Sequence, residues 1–291
     1  MPGNGARAPP EPAAPSRAAT GRQCSDTLLT LGRMLLQAPS APARALDGPR
    51  LGAHGGPGDR AGRLDEPLAR LTSAPVLLAG LVVVTLLAAG PFQGMDEAAH
   101  GFWARRLTPG LQPFIQHVLD PIAGQAVCLP VLAAVAVTLS WRNRTWRPLW
   151  CAVMAELAFY GGVGLLKVVL ARPAPTTDDA DLFDGGLRAL GWSGISFPSG
   201  HASEAVLIYG TAVYLVGRWT MASARTMRIL RVGVGVIALN AVAVSYYLGW
   251  HWISDLVGGL LVGGLLLRLL VEADRRGWHL RPRRAVVARH F

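Results

Sequence analysis

His251 and Asp255 stand four residues apart at the start of an apolar run, a spacing that puts an imidazole and a carboxylate on one face of a helix. A carboxylate so placed holds one ring N–H and leaves the other nitrogen free, so the pair reads as a nucleophile or a general base with its orienting acid. Taken alone, the same spacing also describes an interfacial histidine beside an acid that the helix dipole favours. A second polar island, Phe197-Pro198-Ser199-Gly200-His201-Ala202-Ser203, opens another apolar run. The backbone N–H groups of such a helix start form an anion cradle, and Ser199 adds a hydroxyl donor. His201, on the same turn, is placed to protonate a leaving oxygen. Lys167, the only lysine of the chain, and Arg172 close the preceding apolar run and offer cations to a phosphate, arginine with a planar fork. Together these residues describe a phosphate-transfer site.

The elements that must position them are apolar. Of 291 residues, 51% are hydrophobic and 16% charged, and the mean hydropathy is +0.33, which is too oily for a soluble domain of this length. Six runs, near 73–92, 121–140, 148–170, 202–217, 228–248 and 252–271, approach the roughly 20 residues that a helix needs to cross a ~30 Å hydrocarbon layer. Lipid offers unpaired backbone no partner, so these runs are helices and the fold class is all-α, an integral membrane bundle of about six spans. The fourth and fifth runs carry the most polar residues. Within the third, Glu156 is an intramembrane carboxylate, a functional candidate or a hydrogen-bonded structural acid. Gly259 and Gly263 in the last run form a small-xxx-small pair suited to close helix packing, and Arg268 near its inner end can snorkel.

Net charge is +10, and the arginines lie in tails and alternate loops instead of one stripe, a pattern that membrane topology explains better than nucleic acid, so no nucleic-acid partner is expected. By the positive-inside rule both termini face the cytoplasm and both polar islands face out, at the cell (plasma) membrane. Three cysteines, two of them inside expected spans, do not make a disulfide framework. Residues 1–70, rich in Pro, Gly, Ala and Arg, are expected to form a disordered cytoplasmic tail with a short helical patch near Leu28–Leu36; 71–272 form the membrane domain; 273–291 form a basic cytoplasmic tail. The aromatic and basic segment Asp96–Asp120 suits an amphipathic connector at the outer surface.

Pro198-Ser199-Gly200-His201, His251-x-x-x-Asp255 and the lysine ahead of an Arg-Pro pair resemble the three motifs of the type 2 phosphatidic acid phosphatase superfamily of membrane lipid-phosphate phosphatases, over roughly residues 70 to 272. The resemblance implies a six-span core with His251 as the nucleophile that forms a phosphohistidine and Asp255 orienting it. It makes His201 the acid for the leaving group and then the base for water, and it gives Ser199, Gly200 and Lys167 the phosphoryl oxygens. That chemistry requires no metal and no cofactor. Two positions depart from the pattern: Ala174 and Ser245 stand where the family's clamp arginines are expected, with Arg172 two residues early. Each lost charge-assisted bond to a developing oxyanion is worth about 3 kcal/mol.

The expected activity is hydrolysis of a lipid phosphate held in the membrane, a polyprenyl (pyro)phosphate or a phosphatidate-like lipid. A phosphotransferase of the same family and a non-catalytic lipid-phosphate binding protein are the alternatives. A transporter fits poorly, because the intramembrane polar residues are few and no paired broken helices are evident.

Overall fold

The structure is a computed structural model and describes residues 72–277; the expected N-terminal tail, its Leu28–Leu36 patch and the end of the basic C-terminal tail lie outside the described residues. Among the described residues there is no strand. Helices α1 (Ala74–Ala88), α2 (Gln93–Ala98) and α3 (Phe102–Leu107) lead through short helical turns to α4 (Gln125–Asn143). Then α5 (Arg147–Ala158) runs through the π-helical turn Phe159–Gly164 into α6 (Leu165–Leu170). A loop leads to α7 (Gly200–Trp219), followed by α8 (Ala224–Tyr247) and α9 (Ile253–Arg275). Local sequence sets these starts. Ser199 and Ser223 cap α7 and α8 by accepting backbone N–H bonds from Ala202 and Thr226, and α5 has a proline in its first turn.

Helix α7 is the axis of the bundle, packed by α9, α4 and α8, while α1 lies along α9. Ten of its 20 residues are buried, among them Ser203, Glu204 and Thr211. On α8 only Ala241, Val244 and Ser245 are buried, and Ile229, Val232, Val236 and Leu239 are exposed by 60–68%. Water would penalise that apolar face; a bilayer accommodates it.

This arrangement qualifies the expected span count. Among the described residues four helices are long and apolar enough to cross a membrane, Pro109–Asn143, Arg147–Thr177, α8 and α9, and α1 with the segment Gln93–Leu107, bent by 77°, makes a fifth. Helix α7, the fourth expected run, is outside that set, because a helix wrapped by other helices needs no lipid-facing apolar surface and carries polar side chains instead. The protein is a multi-pass membrane protein.

The small residues of α9 pack inside the bundle. A Cβ on Gly259 would stand 2.6 Å from the Ser199 carbonyl oxygen, and one on Gly263 would stand 2.7 Å from that of Ser203. Ser203 Oγ donates to the Ser199 carbonyl (2.7 Å) and to the Gly259 carbonyl (3.1 Å), stitching the two helices where α7 begins. Arg268 pairs with Glu272 at 2.8 Å. Cys128 and Cys151 are buried free thiols.

Candidate active site

The beginnings of α7 and α9 meet at one end of the bundle. The Ser199 N–H donates to the Asp255 carbonyl (2.9 Å), so both polar islands share one backbone seam. Asp255 stands in the first turn of α9, where its Oδ2 accepts the Trp252 N–H (3.0 Å) and faces His251 Nδ1 at 3.5 Å. That separation is beyond a good hydrogen bond, and among the described residues Nδ1 has no other partner. Nε2 is thereby the ring nitrogen left for chemistry. Burial lowers the pKa of His251 from its ordinary value, Asp255 opposes this, and Lys167 and His201 lower it further.

His201 projects from the first turn of α7. Its Nε2 lies 3.2 Å from Asp120 Oδ1, and its ring centroid is 6.0 Å from that of Trp250, the neighbour of His251. Gly124 makes room for it, since a Cβ there would come within 3.2 Å of Nε2. Lys167 donates from Nζ to the carbonyls of Ile195 (2.8 Å) and Ser196 (3.2 Å), which leaves one of three ammonium protons for an anion. Its Cε would be 3.7 Å from a Cβ on Gly200, so the cation reaches the start of α7. Ser199 is buried and its Oγ accepts from the Ala202 N–H at 3.5 Å, a cap more than an open donor.

Arg172 differs from the expectation of a phosphate cation. It is fully buried, and its guanidinium is committed to protein groups: Nη1 donates to Ser254 Oγ (2.6 Å) and Asp255 Oδ1 (2.7 Å), Nη2 to Asp96 Oδ2 (2.9 Å) and Nε to the Ala180 carbonyl (2.8 Å). Trp252 stacks beside it at 5.6 Å. A guanidinium between two carboxylates is satisfied where it is, and it braces the acid behind His251 instead of facing a ligand.

Sequence reasoning missed Asp96 and Asp120. Asp96, on α2, is fully buried; its Oδ1 accepts the Ser254 N–H at 3.1 Å and its Oδ2 accepts Ser254 Oγ–H as well as Arg172. The only signal was an acid just past the first apolar run. Nothing in the spacing of residue 96 and residue 255 announces that one arginine would join them. Ala174 and Ser245, at the expected arginine positions, are both buried, and Ser245 Oγ has no partner among the described residues. Glu156, the other expected candidate, is half-buried with Oε1 likewise unpartnered.

A buried histidine backed by a braced carboxylate, a second histidine with its own acid and a lysine beside a helix start can receive a phosphoryl group and return it to water. Comparison with known proteins bears on that chemistry. The family model described as PAP2 superfamily matches residues 148–277. The chain is 26% identical over 176 residues to phosphatidylglycerophosphatase B of Bacillus subtilis, covering 57% of this chain and 78% of that protein. It is 25% identical over 166 residues to lipid A 4'-phosphatase of Bacteroides thetaiotaomicron, covering 52% of this chain and 66% of that one. Among solved structures, the transmembrane PAP2 type phosphatidylglycerolphosphate phosphatase of Bacillus subtilis shares the fold with a TM-score of 0.55 at 21% identity, over 72% of this chain and 98% of that chain.

Proposed function

We propose that the chain, whose residues 148–277 match the PAP2 superfamily model, is a membrane lipid phosphatase working through a phosphohistidine on His251. The observation that carries this reading is the seam between the starts of α7 and α9, which puts His201 beside Trp250 and Lys167 beside Gly200 at the same end of the bundle as His251 and Asp255. His251 Nε2 attacks phosphorus, the bond to the leaving oxygen breaks, and His201 gives that oxygen its proton. Water then attacks the phosphohistidine, His201 takes a proton from the water, and inorganic phosphate leaves with His251 restored. Asp255, held by Arg172 and the Trp252 N–H, fixes the ring and offsets the positive charge that develops on it. Lys167 and the N–H groups from Gly200 onward hold the phosphoryl oxygens.

The substrate is a lipid phosphate whose tail stays in the bilayer, phosphatidate-like or a polyprenyl (pyro)phosphate. The proposed site lies at the bundle end away from the arginine-rich α7–α8 turn, and the distribution of arginines supports placing it at the extracytoplasmic face with both termini cytoplasmic. The membrane domain is assigned to 71–272, between an N-terminal tail (1–70) and a C-terminal tail (273–291). The loss of two clamp arginines favours, as a second reading, an alcohol acceptor in place of water; product that depends on added alcohol distinguishes it.

The test is phosphate release in detergent from polyprenyl pyrophosphate, phosphatidate and phosphatidylglycerophosphate, by the intact chain and by His251→Ala. Release from at least one lipid that falls by about 10³-fold or more in the variant is the expected result. Equal release by the two proteins would remove His251 from the chemistry.

A further inference from the structure

The other end of the bundle holds a cavity of about 530 Å³ between α7, α8 and α9. It lies far from the histidines: His201 and Arg218 are 17 residues apart on α7, about 25 Å at the helical rise. Two glycines open its wall. Gly210 and Gly217 are seven residues apart and share one face of α7; a Cβ on the first would stand 2.5 Å from Leu267 Cδ2, and one on the second 2.8 Å from Met227 Cε. Side chains at either position would fill the space.

The lining has two characters. Arg218, Arg231 and Arg275 come to it from three different helices, while Leu267 and Val271 form part of an apolar wall. Arg218 is paired with Asp274 at 3.0 Å, and that carboxylate also accepts from Tyr214 OH. Arg231 and Arg275 are exposed and have no carboxylate partner among the described residues. Among the described residues, three guanidiniums against one carboxylate give the cavity a net positive charge. Next to it the face of α8 carries Ile229, Val232 and Val236, exposed by 60–61%, which belong in hydrocarbon.

We propose that this cavity binds an anionic phospholipid from the leaflet opposite the histidine site. Arg231 and Arg275 hold its phosphate, and its first acyl segment lies on Leu267 and Val271. A free anion would use the guanidiniums and leave the apolar wall wet, whereas a phospholipid satisfies both. The site is separate from the proposed catalytic one and does not depend on turnover.

The experiment is native mass spectrometry of the full chain released from neutral detergent containing equal amounts of phosphatidylglycerol and phosphatidylcholine. The intact chain retains phosphatidylglycerol preferentially, Arg231→Gln/Arg275→Gln lowers that retention about tenfold, and His251→Ala leaves it unchanged. Should the double variant aggregate, each single variant must still lower retention. Equal retention by the arginine variants overturns the proposal, as does loss of the lipid in His251→Ala, which would place it at the histidines. Displacement of the lipid by millimolar inorganic phosphate alone overturns the choice of a lipid over a free anion.

Discussion

At the scale of the residue, the carboxylate behind His251 is held in place by a third and a fourth residue. Asp255 Oδ1 is taken by Arg172 at 2.7 Å, and Arg172 is held in turn by Asp96 at 2.9 Å, all three fully buried. Asp96→Asn leaves a buried guanidinium with one carboxylate where it had two, and breaking such a pair costs about 3 kcal/mol. Thermal unfolding in detergent should show the loss, and activity should fall with it because Asp255 loses its brace; an unchanged midpoint would mean that Arg172 finds another partner. Burial sets the sign of the pH dependence. In the proposed mechanism His251 attacks as the free base, and its pKa is held below the ordinary 6.5. The acid limb of kcat/KM should therefore lie below that pH, with the base form fully present above it. Asp255→Asn removes a group that raises this pKa, so any residual activity should show a limb displaced further toward acid.

At the scale of the element, the geometry of the proposed site depends on how closely α9 approaches the start of α7. Gly259 permits a contact that a Cβ would close to 2.6 Å from the Ser199 carbonyl. Gly259→Ala should push the Pro198-Ser199-Gly200-His201 turn away from Asp255, lowering kcat and the unfolding midpoint together. Gly233→Ala on α8 is the control: a Cβ there meets nothing within 4 Å, so helix propensity dominates and stability should rise by about 0.5–1 kcal/mol with activity unchanged. Gly249, at the turn before His251, has φ +70°, and a Cβ would lie 2.1 Å from the Phe102 ring, so α3 rests on this turn through a missing side chain. The aromatic and basic segment is tied there as well: Trp103 Nε1–H donates to Tyr246 OH at 3.0 Å, and Arg105 donates to the Leu248 carbonyl at 3.3 Å.

At the scale of the whole molecule, the two ends of the bundle differ in chemistry, with His201 and His251 at one and the cavity-lining Arg218, Arg231 and Arg275 at the other. A cysteine at Asp181 should react in intact cells with a thiol reagent that does not cross membranes, and a cysteine at Ser223 should react only after permeabilisation, both in a Cys24→Ser background. Cys128 and Cys151 are buried and should stay silent in folded protein. The reverse pattern would invert the orientation and place the histidines inside the cell.

The sequence by itself determined the class of the molecule and which polar residues stand together at its helix starts, because both are written in short range. Apolar run length decides helix and membrane, and the His-x-x-x-Asp spacing places both side chains on one face without reference to the rest of the chain. The small residues of α9 were legible for the same reason. Only the tertiary structure decided what Arg172 does: its position in the chain is two residues from an expected clamp, yet its guanidinium ends between acids 76 residues upstream and 83 residues downstream. It alone supplied Asp96, Asp120 and the arginine-lined cavity, each assembled from helices distant in sequence. It also showed α7 to be the wrapped centre of the bundle. Composition reports how oily a helix is, while burial by neighbouring helices or by lipid is settled only once the helices pack.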